Sequence, residues 1–181
     1  MARIALVVVD DVSGSINDEA YETQKRGYFA AFTEARVIAA IEGGANGQIA
    51  VAYVEFASGF QVRTVLDWVV VRDAAMRLLG KVPVAADRKV IGVCGDGTNN
   101  LGREVTEARD EAAGKGIVIN GLALANENIP PWLLAHTHPP GGLGNYYRAN
   151  VATGPGSFVI EISSYDDFAE AIRRKLIQEI S

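Results

Sequence analysis

The sequence is poor in the residues that would cross-link, anchor or electrostatically steer it. A single cysteine, Cys94, excludes an internal disulfide. Its place in the apolar run 90–94 reads as a small core side chain. No apolar stretch approaches the roughly 20 residues needed to cross a bilayer. The N-terminal run 4–9 is too short, and it lacks the length and cleavage pattern of a leader. A membrane span is therefore not expected. Nor is there a basic stripe: 17 Lys and Arg are interspersed among 22 Asp and Glu, for a net charge of −5. That balance excludes non-specific nucleic-acid binding, which needs clustered cations to displace counterions. The most basic stretch, Arg173-Arg174-Lys175, reads as a solvated helix face. Histidine is equally scarce. His136 and His138 form a His-x-His pair with no cysteine nearby, short of the four protein ligands of a structural zinc. Internal repeats and low-complexity tracts are absent.

What is present is alternation. The 181 residues, 49% hydrophobic and 22% charged, suffice for one domain over 1–181 with an ordinary core. The run 4–9 is unbroken and rich in β-branched residues, the mark of a strand covered on both faces of a parallel sheet. From 18 to about 40 the period becomes helical, with Tyr21, Tyr28, Phe32, Ala35 and Ile38 or Ala39 on one face, ended by Gly43-Gly44. Segments 48–57 and 60–71, joined by a turn at Ser58-Gly59, predict an antiparallel hairpin at one edge. There follow a short helix over 72–80, a strand over 89–94, a helix over 103–113 and a strand over 116–123. A Pro- and Gly-rich loop over 126–144, with a turn of helix near Trp132, precedes a strand over 158–162 and a helix over 165–180. The expectation is a doubly wound α/β fold: a mainly parallel sheet with one antiparallel edge strand and helices on both faces. Ligands of such sheets sit beyond the carboxyl ends of the strands, at a switch point in strand order.

Two strands end there in carboxylates. The first runs into Asp10-Asp11-Val12-Ser13-Gly14-Ser15, whose Asp-x-Ser-x-Ser set puts one carboxylate and two hydroxyls on a strand-to-helix turn. Mg²⁺ and similar hard cations take such oxygens in octahedral geometry and keep several waters. Serines at that place are equally favoured as caps of the following helix. The strand 89–94 ends in Gly95-Asp96-Gly97-Thr98-Asn99-Asn100, a carboxylate between glycines that also suits a tight turn. The two aspartates meet only if their strands are neighbours. A phosphate site at Gly95-Asp96-Gly97 is disfavoured, because no Walker-type lysine follows and the aspartate repels the anion.

These residues resemble the metal-ion-dependent adhesion site of von Willebrand factor A domains. The resemblance implies Asp11, Ser13 and Ser15 as the first metal loop, and Asp96 as the fourth-strand acid acting directly or through water. Asp10, Thr98 and Asn99 are accessory candidates, and Mg²⁺, or Mn²⁺ or Ca²⁺, is the implied cofactor. Segments 4–16, 47–56, 89–100, 116–122, 146–158 and 166–180 are similar to a bacterial subfamily of von Willebrand factor A-type proteins. Its members share a Gly-Asp-Gly-x-Asn-Asn segment, the stretch Gly154-Pro155-Gly156-Ser157-Phe158, and the ending from Asp167 to Leu176. In von Willebrand factor A domains the acidic side chain of a protein partner completes the metal's coordination. The resemblance therefore implies a divalent-metal-dependent binding module of the adhesion type, not an enzyme. It also implies an exported or periplasmic setting if a leader has been removed.

The chain departs from that pattern in its third loop, which in the family supplies a Thr and leads into a helix. Between 82 and 89 there is no Thr and no room for the helix. The eight residues 81–88, at about 3.3 Å each, just suffice to descend the height of a sheet. Weakened metal affinity is expected, or else residues belonging between 82 and 89 are missing. Asp10 stands where the family has an apolar residue. Two other functions stay open. A metal-dependent hydrolase would need a general base near the metal, and neither loop holds a histidine. A metal-free structural domain would keep the loops as a vestige. Trp132, Tyr146 and Tyr147 are expected to pack the long loop onto the domain.

Overall fold

Strand order and side-chain alternation together decide which residues reach the carboxyl edge of the sheet. A computed structural model describes residues 2–44, 47–57, 61–72, 86–100, 102–125 and 134–181. Its elements run β1 (Ala2–Asp11), α1 (Asp18–Thr33), α2 (Ala35–Glu42), β2 (Gln48–Phe56), β3 (Val62–Arg72) and β4 (Ala86–Gly95). Then come α3 (Val105–Gly114), β5 (Ile117–Leu124), α4 (Leu134–Thr137), α5 (Leu143–Asn150), β6 (Val159–Ile162) and α6 (Phe168–Ile180). One sheet takes the order β3-β2-β1-β4-β5-β6, with β3 antiparallel to β2 and every other neighbouring pair parallel. This is the doubly wound sheet with an antiparallel edge strand that the alternation predicts.

Successive side chains of a strand point to opposite faces. Ile4, Leu6 and Val8 of β1 pack with Leu122 and Leu124 of β5 against α1, α2 and α6. On the other face Ile119 and Ala123 of β5 meet Ala112 of α3 and Leu143 and Tyr147 of α5. The first core centres on Phe168, fully buried, whose ring meets the edge of Tyr28 at 5.7 Å. That ring occupies the space a Cβ at Gly27 would need, so α1 and α6 approach closely only because residue 27 is glycine.

The helix expected over 18–40 is two helices. Glu34 is extended (φ −78°, ψ 136°), and its carboxylate accepts the Arg36 and Val37 N–H groups at 2.9 and 3.3 Å, capping α2. A side chain that satisfies two orphan N–H groups restarts the helix at a new angle. The buried face is Ala20, Gln24, Gly27, Tyr28 and Ala31, then Val37 and Ile41. Of the face the periodicity picks out, Tyr28 alone is buried, and Ala35 and Ala39 are exposed.

Lys175 corrects the reading of the basic stretch. Arg174 is exposed, but Lys175 is 4% exposed and pairs at 2.6 Å with the fully buried Glu179. Asn120 donates its amide to Glu179 at 3.2 Å and accepts the Phe158 N–H at 3.1 Å. A Cβ at Gly92 would collide with the Lys175 ammonium, so β4 makes room for the pair. An i,i+4 Lys–Glu pair looks the same in sequence whether it faces solvent or core.

The described part of the 126–144 loop carries α4 and the start of α5. The turns expected at Ser58-Gly59 and near Trp132 lie outside the described residues. So does the helix over 72–80, apart from Arg72, which ends β3. Ala86, Asp87 and Arg88 already belong to β4. Among the described residues no helix is long and apolar enough to cross a membrane.

Candidate functional site

β1 and β4 are neighbours, aligned Asp10 to Cys94, and the chain continues from β1 to one side and from β4 to the other. Their carboxyl ends therefore flank the point where strand order reverses. Asp11 and Gly95 share a face: a Cβ at Gly95 would stand 3.3 Å from Asp11 Oδ2 and 2.8 Å from the Tyr147 hydroxyl. Asp10, one residue earlier, points to the other face.

The two loops meet. Asp11 Oδ1 accepts the Ser13 N–H at 2.8 Å, the Ser13 and Ser15 hydroxyl oxygens are 3.3 Å apart, and Ser15 Oγ donates to Asp96 Oδ1 at 2.9 Å. Neither serine is needed to cap α1, because Asn17 does so by accepting the Ala20 N–H at 2.8 Å. Both carboxylates are buried, Asp11 to 8% and Asp96 to 3% exposure. Burial raises Asp11 above the ordinary carboxylate range, with Ser13 opposing. Burial first, and then the charge of Asp11, pushes Asp96 up to about 6 against the hydrogen bond from Ser15. No basic side chain among the described residues holds either one down.

Of the accessory candidates, Asp10 faces away and the Asn99 amide is engaged elsewhere, while Thr98 lines the same cavity as the four oxygens. Asp10 is fully buried and accepts the Tyr53 hydroxyl at 2.8 Å through Oδ2, while Oδ1 has no conventional partner. Burial pushes it up to about 7, opposed by Tyr53 and by the weakly donating Cys94 thiol. The Thr98 N–H donates to the His136 carbonyl at 2.9 Å. The Asn99 N–H donates to the Tyr146 phenol oxygen at 3.0 Å, and its amide to the Arg103 carbonyl at 3.1 Å. These two residues thus moor the Asp96 loop to α4 and α5. Sequence patterning did not place Tyr146 and Tyr147 beside the site: only the first two residues of α5 fall in the expected 126–144 loop, and no helix was expected between it and the strand over 158–162. Gln24, whose amide reaches the Asp11 carbonyl at 3.4 Å, gave no signal either.

Two buried carboxylates and two hydroxyls, with no counter-charge, form a donor set suited to a hard divalent cation that keeps waters. Among the described residues no three His, Cys, Asp or Glu side chains cluster, so a softer thiolate or imidazole centre is not built there. A cavity of about 620 Å³ opens beside the site, its lining shared between Asp11, Ser15 and Asp96, the apolar Ile91 and Ile119, and Arg109.

A family model described as "Protein of unknown function (DUF1194)" matches residues 1–77 and again 73–181, so its two pieces meet between β3 and β4. No curated protein matches the sequence. Solved structures match the fold along nearly its whole length. Proximal thread matrix protein 1 from the mussel byssus, "with zinc occupied MIDAS motif", superimposes with a TM-score of 0.59 at 16% identity, over 98% of this chain and 45% of that one. An aerotolerance-related membrane protein from Bacteroides fragilis gives 0.55 at 16%, over 96% and 98%. The pilus adhesin SpaC from Lactobacillus rhamnosus GG gives 0.59 at 12%, over 99% and 30%. The chain thus spans less than half of the mussel protein and of the adhesin. At these identities the likeness shows the fold, which is that of von Willebrand factor A domains.

Proposed function

The chain belongs to the family described as protein of unknown function (DUF1194), and within it we propose that the domain is a divalent-metal-dependent protein-binding module of the adhesion type. The observation that most supports this is the Ser15–Asp96 hydrogen bond, which joins the two loops and gathers four of their oxygens where no basic side chain holds either carboxylate down. Asp11, Ser13 and Ser15 would hold Mg²⁺, Mn²⁺ or Ca²⁺, with Asp96 binding directly or through water. A divalent ion with so few anionic ligands stays electrophilic toward a carboxylate, here the acidic side chain of a protein partner. The zinc-occupied motif of the mussel protein, on the same fold, favours a metal at this place. We read the chain as one domain. The family match comes in two pieces that overlap at 73–77, and the few residues between 82 and 89, without a Thr, favour a shortened third loop, and with it one ligand fewer and weakened affinity. The adhesin and the aerotolerance-related membrane protein among the similar folds favour an exported setting.

A hydrolase would need a base within reach of metal-bound water. Asp10, the carboxyl held nearest neutrality, faces the other side of the sheet. His136 lines the cavity, and its backbone carbonyl accepts the Thr98 N–H of the Asp96 loop. Thermal unfolding with and without Mn²⁺, in the wild type and in Asp11→Ala, tests the proposal. A ligand at a hundred times its dissociation constant stabilises by about 2.7 kcal/mol. We expect a rise in the wild type that Asp11→Ala abolishes. No rise in either protein would leave a metal-free structural domain as the reading.

A further inference from the structure

We propose that the cavity beside the four oxygens takes a small amphipathic carboxylic acid, with its carboxylate at the metal and its hydrocarbon chain lying along β4. The inference rests on the metal-dependent reading above and adds a ligand class to it. Strand alternation puts Gly95, Val93 and Ile91 on the face that carries Asp11. The path away from the metal loops therefore meets first a bare α-carbon and then two aliphatic side chains. From Asp96 to Ile91 it runs roughly 16 Å at strand spacing, room for a medium-length chain. Ile119 of β5 and Ala112 of α3 continue the apolar lining, and Tyr147 of α5 stands at the junction with the metal end.

Three observations favour this occupant. A volume of about 620 Å³ lies within the range of small-molecule sites, which are mostly apolar with a few placed polar groups. Gly95 lets the Tyr147 hydroxyl and Asp11 Oδ2 close in over its α-carbon, which sets a polar group of α5 beside the carboxylate where the cavity meets the loops. Ile91 and Val93 are half-buried, so β4 offers an apolar strip to the cavity, backed by the nearly closed Ile119 and Tyr147. The charge at the metal end fixes the head group. With a divalent ion against Asp11 and Asp96 that end accepts an anion; without one, the same two carboxylates would repel an acid and attract an amine. An acid bound here occupies the coordination position a partner's side chain would use.

The test is calorimetric titration of the full chain, first with Mn²⁺ alone, then Mn²⁺-loaded with acetate, butyrate, hexanoate and octanoate, and with octylamine in EDTA. We expect affinity for the acids to rise about fourfold per buried CH₂, and only in the presence of Mn²⁺. Ala108→Trp, at an exposed position of α3 that lines the cavity, should flatten that dependence on chain length while Mn²⁺ affinity and melting temperature stay unchanged. The wild-type series decides the matter even if this variant fails to fold. Mn²⁺ binding with no gain from acetate to octanoate overturns the cavity inference and leaves the metal reading standing. No Mn²⁺ binding overturns both. Octylamine binding in EDTA more tightly than octanoate binds with Mn²⁺ would make the pocket a site for cations, and the proposal would fall.

Discussion

Ser15 and Asp96 stand 81 residues apart in sequence, and their side chains share a hydrogen bond of 2.9 Å. The contact exists because β1 and β4 are adjacent and in register, which brings the loop after each strand to one point on the edge of the sheet. Every functional expectation for this chain depends on that meeting.

Ser15→Ala removes one candidate ligand and leaves Asp96 without its donor. We expect Mn²⁺ affinity, measured by calorimetry, to fall about 10- to 100-fold. The loss of fold stability should be only about 1 kcal/mol, the net worth of one partly buried hydrogen bond. An unchanged affinity would remove Ser15 from the site.

Asp96 is held up at about 6, by burial first and by the charge of Asp11 second. A carboxyl raised in the folded state contributes stability below its ordinary value of 3.8 and loses it as pH rises through about 6. In the metal-free protein at pH 8, Asp96→Asn should therefore raise stability in urea unfolding, because Asn still accepts from Ser15 without repelling Asp11. The same variant should lose the stabilisation that Mn²⁺ gives the wild type. A variant less stable than the wild type at pH 8 would contradict the account of two opposed carboxylates.

Asp10 makes a separate prediction on the far face of the sheet. Raised to about 7 by burial, it stabilises the fold below its ordinary value of 3.8 and loses that contribution as pH climbs toward 7. Asp10→Asn keeps an acceptor for Tyr53 and removes the charge. Between pH 5 and pH 8 the wild type should lose a few kcal/mol more than the variant. Parallel pH profiles for the two proteins would show that Asp10 does not titrate there.

Lys175 and Glu179 are buried together, so removing one strands the other. Lys175→Met should cost about 3–5 kcal/mol, and adding Glu179→Leu should recover most of it, since a packed apolar pair can replace a buried ion pair. Urea unfolding of the single and double variants distinguishes this from a surface pair, for which both changes would be nearly silent.

The candidate oxygens of the two loops were legible in the sequence as residue types. Asp11, Ser13, Ser15 and Asp96 sit at the ends of two apolar runs, and the runs are short, uninterrupted and local. The Asp-x-Ser-x-Ser spacing selects Asp11; what was not legible was whether Asp10 would join it or point away. Asp10 and Asp11 are equivalent by composition, and a strand's two-residue period sends them to opposite faces. The break between α1 and α2 was hidden as well, because Glu34 reads as an ordinary helix residue until its carboxylate is seen on the Arg36 and Val37 N–H groups.

The sequence by itself determined the alternation of strands and helices, the antiparallel edge formed by β2 and β3, and the oxygen-rich ends of β1 and β4. Each of these depends on interactions between residues a few positions apart, where hydrophobic period and turn chemistry act directly. The tertiary structure alone decided that β1 and β4 lie side by side, that Lys175 turns inward to Glu179, and that α5 brings Tyr146 and Tyr147 against the Asp96 loop. It also placed a cavity with an apolar strip beside the two loops. Those outcomes depend on contacts between distant segments, and only the packing of the whole sheet against its helices selects among the arrangements that local preferences leave open.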